Sequence, residues 1–458
     1  RTGLAVAIVG FASSPTVTPR IGPPMDGTPA RSARPESAGA EGCAHGVSPA
    51  ALPWVEARAL AHRGGASLGV EEVPLVEADG RVLGAGLTTV TDLPPFPTSA
   101  LDGWAVAGPG PWRVGGRVLA GAGPTSPLAP GRAVAIATGA RVPDGATAVL
   151  ATEDGELDGV PPAVADATGA RGGDPAGDGG LLRGRVEQGW AVRPAGEEAS
   201  RGEVLLPAGT RLDPVRLGLA AAAGHDRLPV AVRPGAVVLV LGDELLRAGP
   251  ARDGRIRDSL GPAVPGLLER LGARPVGVRR VPDTLAAHVE ALAAARGTEL
   301  VVTTGGTASG PVDHLHAAVA AVGGELLVDG VAVRPGRPML LARLAERCWL
   351  LGLPGNPQAA VAALLTLGAP LVHALLGRGL PDLPTAVLGA DVAAPVGVTR
   401  LVAARWAAEV EAGAGTVVPV PGRGPGMLRG LAVADGFAVV PPGGAGARQT
   451  VGWLPLPR

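Results

Sequence analysis

Leu300-Val301-Val302-Thr303-Thr304-Gly305-Gly306-Thr307-Ala308-Ser309-Gly310-Pro311-Val312-Asp313 reads as an apolar strand running into a glycine-rich turn and then into a helix whose first residue is Pro311. Proline suits that position because the N–H it lacks has no intrahelical partner there. Backbone N–H groups and the positive end of the helix dipole converge where an anion would sit, which predicts a phosphate cradle. A Gly-Gly loop is equally the mark of an ordinary tight strand-to-helix turn. Its place at the carboxyl end of a parallel strand, where open α/β sheets bind ligands, favours binding.

Outward from this turn, residues 236–378 alternate buried-strand runs with helical patterns, the order expected of a parallel α/β sheet. The strands expected are Val237 to Leu241, Val276 to Val281, Glu299 to Thr304, Met339 to Leu344 and Trp349 to Leu353. Helices are expected over Asp258 to Leu271 and over Asp283 to Arg296, the second capped by Asp283 with Leu285, Val289 and Leu292 on one face. Two more start near Pro311 and Pro357. Asp243 and Glu244 follow the first strand, while Asp283 and Asp313 follow later ones, so parallel strands bring four carboxylates to one sheet edge. Carboxylates beside a phosphate imply Mg²⁺, since like charges otherwise repel the ligand. Taken singly, Asp283 also reads as a helix cap and Glu244 as a solvated side chain.

Gly352-Leu353-Pro354-Gly355-Asn356-Pro357-Gln358 forms a second strand-to-helix loop, which Pro makes rigid and Gly opens to close backbone approach. Upstream, Arg334-Pro335-Gly336-Arg337-Pro338 offers two guanidinium forks that match an oxyanion such as phosphate or molybdate. Surface arginine in an arginine-rich chain is the competing reading. In a different region, a loop ending Ser99-Ala100-Leu101-Asp102-Gly103 presents Ser99 and Asp102 to a partner surface, or is a plain turn. His314 and His316, two apart on a helix, point to different faces and do not read as metal ligands.

The remaining chain is organised differently. Residues 1–47 read as a disordered leader of Pro, Ser, Gly and Ala. Pro49 to Arg63 reads as an amphipathic helix with Leu52, Val55, Ala59 and Leu60 on one face, residues 112–153 as a small all-β unit, and Gly155 to Gly184 as a long exposed loop. Short strands return after Leu380. The 458 residues contain no Lys, which excludes a Walker-A loop and a pyridoxal-phosphate Schiff base. The net charge of -1 provides no global field for nucleic acid or an anionic membrane. Cys43 and Cys348 make no zinc cluster or disulfide framework, which suits the cytoplasm.

Together these stretches resemble the molybdopterin molybdenumtransferase family, the MoeA and gephyrin E-domain group. The carriers are Pro94-Pro95-Phe96 with Ser99 to Gly103, Ala137-Thr138-Gly139-Ala140-Arg141-Val142-Pro143, Val192-Arg193-Pro194-Ala195-Gly196-Glu197-Glu198, Gly242-Asp243-Glu244-Leu245, Thr304-Gly305-Gly306, Arg334 to Pro338 and Leu353 to Pro357. The only Asn of the chain, Asn356, falls in the last. The resemblance implies a multidomain α/β plus β fold. An elongated domain (48–106 and 192–231) carries an inserted β-barrel-like domain (107–191), followed by a three-layer molybdopterin-binding α/β domain (232–379) and a C-terminal β domain (380–458).

It further implies a cytoplasmic homodimer that inserts molybdate into adenylylated molybdopterin with Mg²⁺ and releases AMP. The site would lie between the α/β domain of one subunit and the elongated and inserted domains of the other, with contact to the upstream molybdopterin adenylyltransferase. By resemblance, Asp102, Thr138, Glu244, Asp283 and Asp313 are catalytic, and Asp243, Glu244 and Asp283 hold the metal. Ser99, Gly305, Gly306, Ser309, Gly310, Arg334, Arg337, Pro354, Gly355, Asn356 and Pro357 bind substrate. Leu260 stands where the family commonly has Asn, Ala308 and Ala359 where Ser is usual, and Arg337 where Lys is common. These departures favour the alternative of a pterin-binding or scaffold protein of the same fold without full turnover.

Overall fold

The structure, a computed structural model, describes residues 51–123, 125–158, 180–307, 314–407, 415–420 and 428–457. Its centre is a six-stranded sheet in the order Arg274–Val281, Gly235–Leu241, Leu300–Thr304, Cys348–Leu353, Leu340–Ala345, Glu325–Asp329. The first four strands are parallel. All residues of Gly235–Leu241, Leu300–Thr304 and Cys348–Leu353 are buried, because helices cover both faces of central parallel strands and leave no position for a polar alternation.

The far side departs from the all-parallel expectation. Leu340–Ala345 and Cys348–Leu353 pair antiparallel, Ala345 opposite Cys348, so only two residues join them. A connection that short permits a hairpin and forbids a parallel crossover. Glu325–Asp329, which the sequence reading did not assign, adds the antiparallel edge.

Val238, Val240, Val302 and Leu351 fill one face of the sheet with the helices Leu260–Leu271 and Ala369–Leu375. Val237, Leu239, Val301 and Leu350 fill the other with Leu285–Ala295 and Leu315–Ala321. The cap of Leu285–Ala295 is Thr284, whose side chain accepts from Ala287 N, not Asp283. That helix buries His288, Leu292 and Ala295 and leaves Leu285 exposed, a face rotated from the expected one. The start expected at Pro311 lies outside the described residues.

Pro357 opens the fourth helix as expected. It continues through a π-helical turn, Leu364–Gly368, into Ala369–Leu375. This 19-residue apolar run is 89% buried within the fold, as a core helix is. Trp54–Arg63 lies against it. Trp54 Nε1 donates to Thr366 Oγ1 at 3.0 Å, and Arg58, 2% exposed, donates to the carbonyls of Leu365 and Pro381. The buried stripe is therefore Trp54, Ala57, Arg58 and Ala61, and Val55 faces solvent. Hydrophobicity alone misassigned it because the aliphatic stem of Arg58 can be buried while its head caps carbonyls.

A second six-stranded sheet joins Gly103–Val106, Trp112–Val118, Arg132–Ile136, Ala148–Ala151, Glu156–Asp158 and Leu181–Arg183. The last two strands pair with each other, so the ends of the expected 155–184 loop are an antiparallel strand pair anchored by the buried Leu182. The C-terminal strands Thr385–Leu388, Thr399–Trp406, Thr416–Pro419, Gly436–Val440 and Thr450–Pro455 close on themselves, because Thr399–Trp406 pairs on both sides. Val333–Arg334, from the α/β segment, adds to this ring.

Candidate active site

Strand register assembles the first part of the site. Leu241 pairs with Val281, Val240 with Thr304, and Thr304 with Leu353, so four parallel strands end level. The segments that follow them, Gly242 to Glu244, Pro282-Asp283, Gly305-Gly306 and Pro354 to Pro357, line one edge of the sheet. Gly242 has φ 130° and the Glu244 carboxylate folds back over it. Asp283 Oδ2 accepts from Asp243 N at 3.0 Å, which ties two strand-end turns together. Gly305 and Gly306 have φ of 93° and 71°, a left-handed pair that glycine adopts without strain. Gly305 N donates to Leu353 O at 2.8 Å, and a Cβ on Gly355 would lie 3.8 Å from Gly305 Cα. The Pro354 to Pro357 turn is therefore in contact with the glycine turn. Ser309, Gly310 and Asp313 lie outside the described residues.

The carboxylates here suit a hard cation only in part. Among the described residues no three His, Cys, Asp or Glu side chains cluster as a metal cage, so Asp243, Glu244 and Asp283 do not enclose an ion by themselves. One or two carboxylates plus ligand phosphate oxygens is the way Mg²⁺ is usually held, and these residues supply the carboxylate part of that donor set.

The other face of the Pro354 turn opens on a cavity of about 790 Å³. Its walls are the Arg334 to Pro338 loop, the Pro354 to Ala359 turn and the C-terminal ring, including Arg400. Arg334 and Arg337 are exposed and make no ion pair with a described residue. Arg334 pairs in register with Arg400, whose Nη1 donates to Ala393 O at 2.6 Å. Among the described residues, three guanidinium groups and no carboxylate line this cavity. Arg400 was not among the sequence candidates, because one Arg in a short strand of an arginine-rich chain carries no signal until its strand partner is known. Asn356 caps the helix by backbone geometry alone, with no side-chain cap bond.

Ser99, Asp102 and Thr138 form a separate group. Asp102 Oδ1 accepts from Thr138 N at 2.8 Å, and Ser99 exchanges backbone bonds with the Gly139-Ala140 turn. Asp102 and Thr138 are exposed. Ser99 is fully buried and its hydroxyl donates to Leu101 O at 2.6 Å, so it shapes the loop and is not presented to a partner surface. His316 bonds Asp329 while the His314 ring meets His288 edge-on, as two different faces require. Burial pushes the Cys348 thiol up to about 11, so it is no nucleophile at neutral pH.

Fold and site define a class: a multidomain α/β protein with an anion-suited edge at its strand ends and an arginine cavity against a closed β ring. The described families agree in order along the chain. The MoeA N-terminal region (domain I and II) matches residues 52–224, a probable molybdopterin binding domain 237–374, and the MoeA C-terminal region (domain IV) 385–452. Molybdopterin molybdenumtransferase of Bacillus subtilis (strain 168) is 30% identical over 82% of this chain and 87% of its own. Molybdopterin molybdenumtransferase 2 of Mycobacterium tuberculosis is 31% identical over 81% and 90%. The crystal structure of molybdopterin biosynthesis moea protein from Pyrococcus horikosii superposes with a TM-score of 0.69 at 25% identity, over 89% of this chain and 99% of that one. The chain belongs to the molybdopterin molybdenumtransferase (MoeA) family.

Proposed function

We propose that this transferase of molybdenum cofactor biosynthesis inserts molybdate into adenylylated molybdopterin and releases AMP. The observation that carries the reading is the single turn, Pro354 to Pro357, that forms a wall of the arginine cavity and also touches the glycine turn. Phosphate on one side of that turn and an oxyanion on the other are thereby held as neighbours, so proximity and fixed dipoles supply the catalysis. Gly306 would donate its backbone N–H to phosphate, the Gly305 N–H being held by Leu353 O, and Asp313 would bind phosphate and pterin groups. Arg334, Arg337 and Arg400 hold molybdate. Glu244, Asp243 and Asp283 would hold Mg²⁺ together with pyrophosphate oxygens; bound there, the ion supplies Lewis acidity at the bond that breaks.

Asp102 and Thr138 would complete the site of a second copy in a homodimer. The fully buried Ser99 supports their loop instead of binding substrate. The test is AMP release from adenylylated molybdopterin by the purified protein with Mg²⁺, with and without molybdate, beside an Asp313→Ala control. Release stimulated by molybdate and lost in the variant is expected; tight pterin-nucleotide binding without release overturns the transferase reading. One observation favours the binding-protein alternative. Ala359, where the family commonly has Ser, lines the arginine cavity with a methyl group and offers no hydroxyl to an oxyanion.

A further inference from the structure

We infer that the chain carries a second anion site, a cavity of about 570 Å³ that takes a small organic phosphate, its oxyanion on Arg378 and Ser67 and its apolar body on Val70, Leu83, Ala231 and Leu376. It lies where the ribbon Val70–Pro74 with Arg227–Ala231 meets the end of Ala369–Leu375, and it shares no lining residue with the first cavity.

Arg378 is held in an unusual way. Its Nη1 lies 3.3 Å from His373 Nε2, and His373 Nδ1 lies 3.2 Å from Gly379 O. A ring that donates through Nδ1 offers Nε2 as an acceptor, so a neutral histidine orients the guanidinium. Burial, and then the charge of Arg378 itself, push His373 down to about 4 and keep it neutral. Arg81, Arg216, Arg233, Arg280 and Arg343 each face a carboxylate, whereas Arg378 faces none among the described residues. Burial and the charge of Arg211 both lower its pKa, so its positive charge is uncompensated.

The rest of the cavity suits an anion with an apolar tail. Among the described residues its lining contains no acidic side chain. The last carbonyls of the helix, those of Val372, His373, Ala374 and Leu375, all accept bonds, from the N–H groups of Leu376, Arg378, Gly377 and Leu68, so no bare negative helix end opposes the ligand. Ser67 Oγ accepts from Gly69 N at 3.3 Å and keeps its O–H free to donate. Thr210 does not compete, because its hydroxyl donates to Pro207 O. The volume exceeds what a bare phosphate needs and falls within the range of small-molecule pockets.

The test titrates full-length protein with phenyl phosphate and follows the His373 imidazole by NMR, assigned with His373→Gln. Saturation raises the His373 pKa by about one pH unit, because the ligand offsets the neighbouring positive charge. The response persists in an Arg334→Ala/Arg337→Ala variant and disappears in Arg378→Gln with an unchanged melting temperature. Ser67→Ala weakens it about fivefold, the worth of one hydrogen bond, and inorganic phosphate binds more weakly than phenyl phosphate. A silent His373, a response that survives Arg378→Gln, or one abolished by the Arg334/Arg337 pair overturns the site. Equal binding of the two phosphates overturns the apolar subsite.

Discussion

Arg334 and Arg400 stand opposite each other across a two-residue parallel strand pair that ties the α/β segment to the C-terminal ring. Like charges placed opposite in a sheet repel, and an oxyanion between them turns that repulsion into attraction. Arg400→Ala is therefore expected to raise the half-saturating molybdate concentration for cofactor formation about tenfold or more without lowering the melting temperature of the unliganded protein. Arg400→Lys recovers only part of the loss, since an ammonium lacks the planar fork. Molybdate titrations of the variants check both.

Asp283 ties the Asp243 turn in the structure and holds the metal in the proposed mechanism, two roles that one substitution separates. Asn in its place keeps an oxygen to accept from Asp243 N–H and loses the charge. AMP release is expected to fall by about 10- to 100-fold, the range for weakened metal support, while thermal melting stays put. Unchanged turnover in Asp283→Asn would make the residue a tie between turns and nothing more.

Gly306 is required by backbone geometry as well as by space. Its φ is 71°, and an added Cβ would sit 2.8 Å from Leu241 Cδ1. Gly306→Ala is expected to destabilise the protein by about 1–3 kcal/mol, read as a lowered denaturation midpoint, and to lose pterin-nucleotide affinity as the turn distorts.

His373 gives folding a pH dependence whose sign is fixed. Its pKa falls from 6.5 to about 4 in the fold, so between those values the unfolded chain takes up a proton that the folded chain refuses. The stability tied to His373 is complete above about 6.5 and is lost as pH drops towards 4. Denaturant midpoints at pH 7 and pH 5 are expected to differ less in His373→Gln than in the parent protein.

If Asp102 and Thr138 complete the site of a second copy, two inactive variants rescue each other. Refolding an equal mixture of Asp102→Ala and Arg337→Ala leaves half the molecules as mixed dimers with one intact site in two, so AMP release returns to about a quarter of the parent rate. No recovery places both residues in the same protomer's site.

The central sheet was legible because strands buried on both faces must be apolar throughout, and Val237 to Leu241 or Leu300 to Val302 tolerate little else. Glu325–Asp329 escaped notice because an edge strand needs only a partial apolar pattern, and its burial is uneven. Trp54–Arg63 was read on the wrong face because Arg58 is buried to serve the carbonyls of Leu365 and Pro381, partners more than 300 residues away that local periodicity does not encode. The glycine and proline turns were visible since they announce backbone conformation directly. Arg400 was invisible for the opposite reason: its place depends on the pairing of Val333–Arg334 with a distant strand.

That pairing also governs how the arginine cavity is entered. A clamshell opening between the α/β segment and the ring would first have to unzip the bonds of Val333 and Arg334 to Thr399 and Arg400. The walls are stitched along one seam, so exchange of the proposed oxyanion is expected to proceed through a standing mouth. Its rate should follow ionic strength, which screens the three guanidinium groups, more than solvent viscosity, which would brake a hinge.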